Sequence, residues 1–241
     1  MAIFALADTH LCLSNPEKSM DVFGDYWKDY LVRIADNWRD CVTDSDTVLI
    51  AGDISWATYI DKAFEDFEFL CGLPGRKIIS RGNHDYWWTS IKKMDEYFLS
   101  HDLPGIEVCR TNVIEAEDCL ISGTRGWMLP SPSMKAQDRK IYERELLRVS
   151  LCIDELAKAD PDHRRKRILM LHYPPLTCDR TKTDFTDAIG SGADICVYGH
   201  LHAHAHSFAY NGEAIDGCRY ICTSSDYCGF RPVRIFPADQ E

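Results

Sequence analysis

The chain has 241 residues, 45% of them hydrophobic, which is enough for one large α/β domain spanning 1–241 and short for two. Its net charge of −11 disfavours a nucleic-acid backbone as the natural partner. The eleven cysteines contain no Cys-x-x-Cys pair and mostly sit in apolar runs, which disfavours a disulfide scaffold and fits free thiols in a reducing compartment.

Residues 2–7 form an apolar run that predicts a strand buried on both faces. The run is too short for a signal peptide and lacks a basic start, and no transmembrane-length stretch follows, so the expectation is a cytoplasmic protein without membrane contact. The strand ends at Asp8-Thr9-His10. Residues two apart on an extended chain face one side, so Asp8 and His10 could address one ion from a sheet's C-terminal edge.

Residues 24–42 carry Tyr26, Trp27, Tyr30, Leu31, Ile34 and Trp38 at helical spacing. Residues 47–51 are a second buried strand, ending in Gly52-Asp53-Ile54-Ser55. A helix over 57–71 stops at Leu73-Pro74-Gly75. Lys77-Ile78-Ile79 then leads into Ser80-Arg81-Gly82-Asn83-His84-Asp85, with a helical pattern beyond. Amide, imidazole and carboxylate side by side need partners, since each unpaired group would cost about 1–3 kcal/mol.

Runs at 112–116 and 119–122 read as a hairpin turning at Glu117-Asp118, followed by Gly123-Thr124-Arg125-Gly126-Trp127 and a Pro/Ser-rich loop. A long amphipathic helix covers 137–159. The basic cluster at 163–167 is most simply a solvated loop. Strands at 168–171 and 194–198 stop at His172-Tyr173 and at Gly199-His200-Leu201-His202. Short runs at 214–223 and 232–236 suggest a last antiparallel set. Five of the nine histidines thus stand at strand ends beside aspartate, asparagine or each other.

Asp8-x-His10, Gly52-Asp53, Gly82-Asn83-His84-Asp85, His172 and Gly199-His200-x-His202 resemble, in order and spacing, the five motifs of the calcineurin-like metallophosphoesterases. The context Arg81 to Trp88 resembles a bacterial branch of predicted phosphoesterases. The resemblance implies a four-layer α/β/β/α sandwich with a two-metal site at the C-terminal ends of the strands. It implies that Asp8, His10 and His202 hold one metal, that Asn83, His172 and His200 hold the second, and that Asp53 bridges them. His84 would stand near the leaving group as the catalytic acid, oriented by Asp85.

Mixed Asp/Asn/His ligation without thiolates suits two divalent or mixed-valence ions of Mn, Fe, Zn or Co. Such a pair lowers the pKa of a shared water, whose hydroxide could attack phosphorus. The expected activity is hydrolysis of a small phosphate ester, monoester or diester. The alternatives are a two-metal nuclease, which the acidic charge disfavours, and a non-catalytic scaffold, which would not need the complete ligand set.

Only the loops at 124–136 and 174–187 remain to shape a pocket. Arg125 is there a candidate phosphate clamp, with a structural ion pair about as good an account. Trp56, Trp87, Trp88, Trp127 and Tyr173 add a modest bias towards ring-bearing, nucleotide-like esters, although single tryptophans mostly pack. His204 and His206 continue the alternation after His202, but the metal shells are already full without them. The sequence is silent on oligomeric state.

Overall fold

The computed structural model describes residues 1–179 and 181–237. Position 180 of the expected pocket loop, and 238–241 at the end of the expected domain, lie outside the described residues. Two sheets face each other. The first has strand order β11-β1-β2-β3-β4, built from β1 (Ile3–Ala5), β2 (Thr47–Ala51), β3 (Arg76–Ser80), β4 (Ile106–Val108) and β11 (Val233–Phe236). The second has order β5-β6-β7-β8-β10-β9. It contains β5 (Ile114–Ala116), β6 (Cys119–Gly123), β7 (Lys166–Met170), β8 (Ile195–Tyr198), β9 (Asn211–Ile215) and β10 (Cys218–Cys222).

Strands β1 to β4 run parallel, as do β6, β7, β8 and β10. Parallel strands covered on both faces need apolar side chains on both, which explains why the runs Thr-Val-Leu-Ile-Ala and Ile-Cys-Val-Tyr do not alternate. One face of each sheet meets the other sheet through Ile3, Leu49, Ile78, Ile121, Ile168 and Val197. Each such side chain contributes roughly 1.5–3 kcal/mol on burial.

The outer face of the first sheet is covered by α1 (Tyr30–Cys41), α2 (Phe64–Cys71) and α3 (Ile91–Ser100), through Ile34, Trp38, Phe67, Met94 and Phe98. That of the second carries α4 (Ala136–Ala159) and α5 (Asp184–Ile189), through Val149, Cys152, Phe185 and Ile189. The order of layers is α/β/β/α.

Several boundaries differ from the sequence expectation for identifiable reasons. The helix expected over 24–42 begins only at Tyr30, because Gly24 sits at φ +124° and Asp29 is left-handed at φ +55°. Residues 20–23 and 25–27 form single 3-10 turns. The helix expected over 57–71 shortens to α2 behind a 3-10 turn at 60–62. β4 is too short to show a period. α5 begins inside the expected pocket loop, runs past its end at 187, and is started by a capping box of Thr183 and Thr186. The last strands divide: β9 and β10 pair antiparallel, but β10 also lies parallel to β8, and β11 crosses to pair with β1.

The basic cluster is paired as well as solvated. Arg164 meets Asp162, Arg165 meets Glu115, and Lys166 meets Asp194, at the end of β7 opposite His172. All eleven cysteines are free thiols. Among the described residues no helix is long and apolar enough to cross a membrane.

Candidate metal centre

Every expected ligand follows the carboxyl end of a parallel strand, where open α/β sheets present their ligands. Asp8 and His10 follow β1, Asp53 follows β2, and Asn83 and His84 follow β3. His172 follows β7, and His200 and His202 follow β8. Backbone bonds lace the loops together. Asp8 N donates to the Gly52 carbonyl and His10 N to the Asp53 carbonyl, both at 3.0 Å, while His200 N donates to Asp8 Oδ2 at 2.8 Å across the two sheets.

The expectation that Asp8 and His10 meet by strand alternation is corrected. Asp8, His10, Asp53 and His200 have φ of +57°, +43°, +52° and +73°. Non-glycine residues rarely adopt this region, and such strain clusters at functional sites. The chain curls after β1, and the curl, not the pleat, turns both side chains inward. Two glycines make the close approach possible. A Cβ on Gly82 would lie 2.1 Å from Asp53 Oδ1, and one on Gly199 would lie 2.4 Å from Asp8 Oδ2.

The side chains converge in two overlapping groups. Ligand atoms of Asp8, His10 and His202 lie within 4.8 Å of one another, and so do those of Asp8, Asp53 and His172. Asp8 is common to both groups, and Asp53 stands in the second. His172 Nδ1 stands 3.0 Å from the Ala51 carbonyl oxygen and donates to it, which turns Nε2 to the centre. There Nε2 faces Asn83 Oδ1 at 2.8 Å, His200 Nδ1 at 3.3 Å and Asp53 Oδ2 at 3.4 Å. On the other side, His10 Nε2 and His202 Nε2 are 3.3 Å apart.

This donor set fits metal ions. Among the described residues, Asp8 Oδ1 is fully buried without a hydrogen-bond partner, 3.6 Å from His202 Nε2. Nitrogen and oxygen lone pairs that face one another across a buried space need a positive charge between them. In the metal-free chain protons supply it. Burial pushes His172 and His202 down, but Asp53 and Asp8 outweigh it for His172 and Asp8 and Asp226 for His202, lifting them to about 9 and about 10. Burial lowers His10 and His200 to about 4. Burial opposes ionisation of Asp8 and Asp53, yet the neighbouring imidazoles win: Asp8 falls to about 2 and Asp53 falls further.

Asp85, which the resemblance implied would orient His84, makes its hydrogen bonds elsewhere. Its fully buried carboxylate accepts from Gly82 N at 2.7 Å, Ile54 N at 2.8 Å, Asp53 N at 2.9 Å, Trp87 Nε1 at 3.1 Å and Ser55 N at 3.3 Å. It ties the loop after β2 to the loop after β3. Burial and the nearby Asp53 raise it to about 6. His84 is instead held by its own N–H on Asp53 Oδ1 at 2.8 Å and by the Trp56 ring at 4.6 Å. It lines a cavity of about 330 Å3 with His10, Trp27, Asp53, Trp56 and His202.

Sequence reasoning missed Asp226. Its Oδ1 lies 2.8 Å from His202 Nδ1, so it fixes that ring's tautomer and aims Nε2 at Asp8. The signal was present, because Thr223 to Asp226 is one more polar stretch after a buried strand, β10. The same carboxylate lies 3.0 Å from His206 Nε2. His206 and the exposed His204 belong to a 3-10 turn over 203–208, so the expected alternation ends at His202. Among the expected ring residues, Trp56 stacks on His10 at 5.0 Å and Tyr173 lies 4.2 Å from His200, while Trp87 and Trp88 are core.

A family model for calcineurin-like phosphoesterases matches residues 1–204. The chain belongs to this family. No curated protein matches the chain in sequence. Among solved structures, a phosphopantetheinyl hydrolase from Mycobacterium tuberculosis is 15% identical with a TM-score of 0.56, over 100% of this chain and 97% of its own. The protein TT1561 of Thermus thermophilus is 10% identical with a TM-score of 0.56, over 97% of each chain. At these identities the likeness is one of fold. Family and donor set together make this calcineurin-like chain a metal-dependent hydrolase, for which the family implies a small phosphate-ester substrate.

Proposed function

We propose that the chain hydrolyses small phosphate esters with two transition-metal ions, as one catalytic domain working in the cytoplasm. Asp8, His10 and His202 would hold one ion, Asn83, His172 and His200 would hold the other, and Asp53 would serve both. The observation that carries this is the buried, unpartnered Asp8 Oδ1, placed among imidazole nitrogens from both sheets. Without thiolates, the ligands suit Mn, Fe, Zn or Co. When bound, the ions supply an activated water and neutralise charge on the phosphate oxygens.

The chain's own residues then order the reaction. Asp226 and the Ala51 carbonyl hold His202 and His172 in ligating tautomers. The Trp56 and Trp27 rings exclude water from one wall of the cavity. Hydrolysis joins water oxygen to phosphorus and breaks the bond to the leaving oxygen, which must take a proton. His84, outside both ligand groups and lining the same cavity, donates it. An aromatic rim with Tyr173 favours esters that carry a ring.

The test is Asp53→Ala with elemental analysis and a chromogenic phosphate ester. Bound metal should fall well below two per chain and turnover should vanish. Two tightly bound ions in this variant would overturn the placement of Asp53 between them.

A further inference from the structure

Beside the metal centre, the same strand ends build a second pocket, a cavity of about 250 Å3. Arg81 follows β3, Arg110 follows β4 and Arg125 follows β6, while Arg144 and Arg148 reach in from α4. Five guanidinium groups face one carboxylate, Glu145, in a chain whose net charge is −11. Glu145 is fully buried and already engaged, accepting from Thr124 Oγ1 at 2.8 Å and pairing with Arg148 at 2.5 Å. Among the described residues, no ion pair or hydrogen bond engages the guanidinium groups of Arg81, Arg110, Arg125 or Arg144. The Nε atoms of Arg81 and Arg125 are buried without a partner.

Holding the two partly buried, unpaired guanidinium groups of Arg81 and Arg125 beside three more is unfavourable unless an anion completes the group. Guanidinium forks match tetrahedral oxyanions two bonds at a time. The pocket is tied to the metal centre through the backbone. The Arg125 carbonyl accepts from the backbone N of both His172 and Tyr173 at 3.0 Å, and Arg81 stands two residues before Asn83. A chain of ring contacts also leads from the centre to the pocket. Tyr173 lies 4.2 Å from His200, Trp127 lies 5.2 Å from Tyr173, and Arg125 Cζ sits 4.3 Å above Trp127.

We propose that the arginine pocket binds a phosphate-type dianion, and that the substrate carries it as a second phosphate group besides the ester held at the metals. The substrate half rests on the phosphoesterase function proposed above. The anion site does not, and it is tested without turnover.

Sulfate serves as the probe. The melting temperature of metal-loaded protein is compared in sodium sulfate and in sodium chloride of equal ionic strength. Wild type should gain several degrees from sulfate, since binding to the folded state alone stabilises it. Arg110 and Arg144 are exposed and unpaired, so the double variant Arg110→Ala/Arg144→Ala should fold and lose most of that gain. An equal sulfate gain in wild type and variant overturns the site.

The second arm compares a nucleoside 3′,5′-bisphosphate with p-nitrophenyl phosphate. The ratio of their KM values should rise about tenfold in the variant, the equivalent of about 1.4 kcal/mol. An unchanged ratio, with sulfate altering p-nitrophenyl phosphate turnover in wild type alone, assigns the pocket to a free anion and overturns the substrate half. If no ester is hydrolysed, the phosphoesterase function fails while the melting comparison still decides the anion site.

Discussion

Asp85 separates a catalytic from an architectural account of the Asn-His-Asp motif, and Asp85→Asn tests it. The aspartate's two oxygens split five donors: one faces Gly82 N and Asp53 N, the other Ile54 N, Ser55 N and Trp87 Nε1. An asparagine of the same shape must point its amide hydrogens at one of these sets. At least two donors then lose their acceptor, at about 1–3 kcal/mol each. With some relaxation of the loops the loss is about 2–4 kcal/mol, in the range of large single-site effects. For a chain of this size about 2–4 °C accompany each kcal/mol, so the melting temperature should drop by about 4–16 °C. The assay is thermal unfolding of metal-loaded protein at pH 8, with metal content measured in parallel. If melting were unchanged while turnover fell by about 10²–10⁴-fold with both metals retained, Asp85 would be a working partner of His84 and the brace account would be wrong.

His84→Ala should retain bound metal and lose about 10²–10⁴-fold in turnover, with a smaller deficit for nitrophenolate than for alkoxide leaving groups; equal losses for both would count against a proton donor. Asp226→Ala should weaken metal binding by about 10–100-fold, as loss of a carboxylate behind a ligating imidazole does, and unaltered affinity in a metal titration would remove that role. His172 and His202 are raised to about 9 and about 10 in the metal-free chain, so their stabilising contribution is full below the unfolded histidine pKa, about 6.5, and is lost as pH rises through 9–10. Metal-free protein should therefore lose stability across that window more steeply than metal-loaded protein, and loading at pH 7 should release protons in a pH-stat; loading without proton release would refute it.

The candidate ligand types and their strand-end placement were legible because each apolar run ends abruptly in a polar residue, a one-dimensional signal. The layer order came from the family resemblance, since runs such as Val48-Leu49-Ile50 show only that a strand is covered on both faces. Conformation at the strand ends was not legible. Nothing in Ala-Asp-Thr-His shows that Asp8 and His10 are left-handed, because the hydrogen bonds that hold them come from Gly52 and Asp53, more than forty residues away. Asp85 was misplaced for a related reason. The family resemblance implied a pair with His84, but the carboxylate binds backbone donors of two loops and the Trp87 indole. The arginine pocket was invisible because its members come from β3, β4, β6 and α4, and Arg125 alone stood out in the sequence by its flanking glycines.

The strain at the strand ends and the charge at the centre belong together physically. Four left-handed residues, each costing on the order of 1–3 kcal/mol, would not persist unless their surroundings over-determined them. Those surroundings are rigid: Asp85 clamps two loops, Gly82 and Gly199 let backbone touch carboxylate, and Ser225 Oγ donates to the Asp8 carbonyl at 2.6 Å. With the loops fixed, the carboxylates and imidazoles cannot swing apart to find water, so their lone pairs stay aimed at one small volume. Protons on His172 and His202 satisfy that volume only in part, since Asp8 Oδ1 remains without a donor. A scaffold that merely displayed a surface would gain nothing from this arrangement. A hydrolase gains a metal site whose geometry is set before the ions arrive, and preorganised electrostatics of this kind are usually the largest contribution to catalysis.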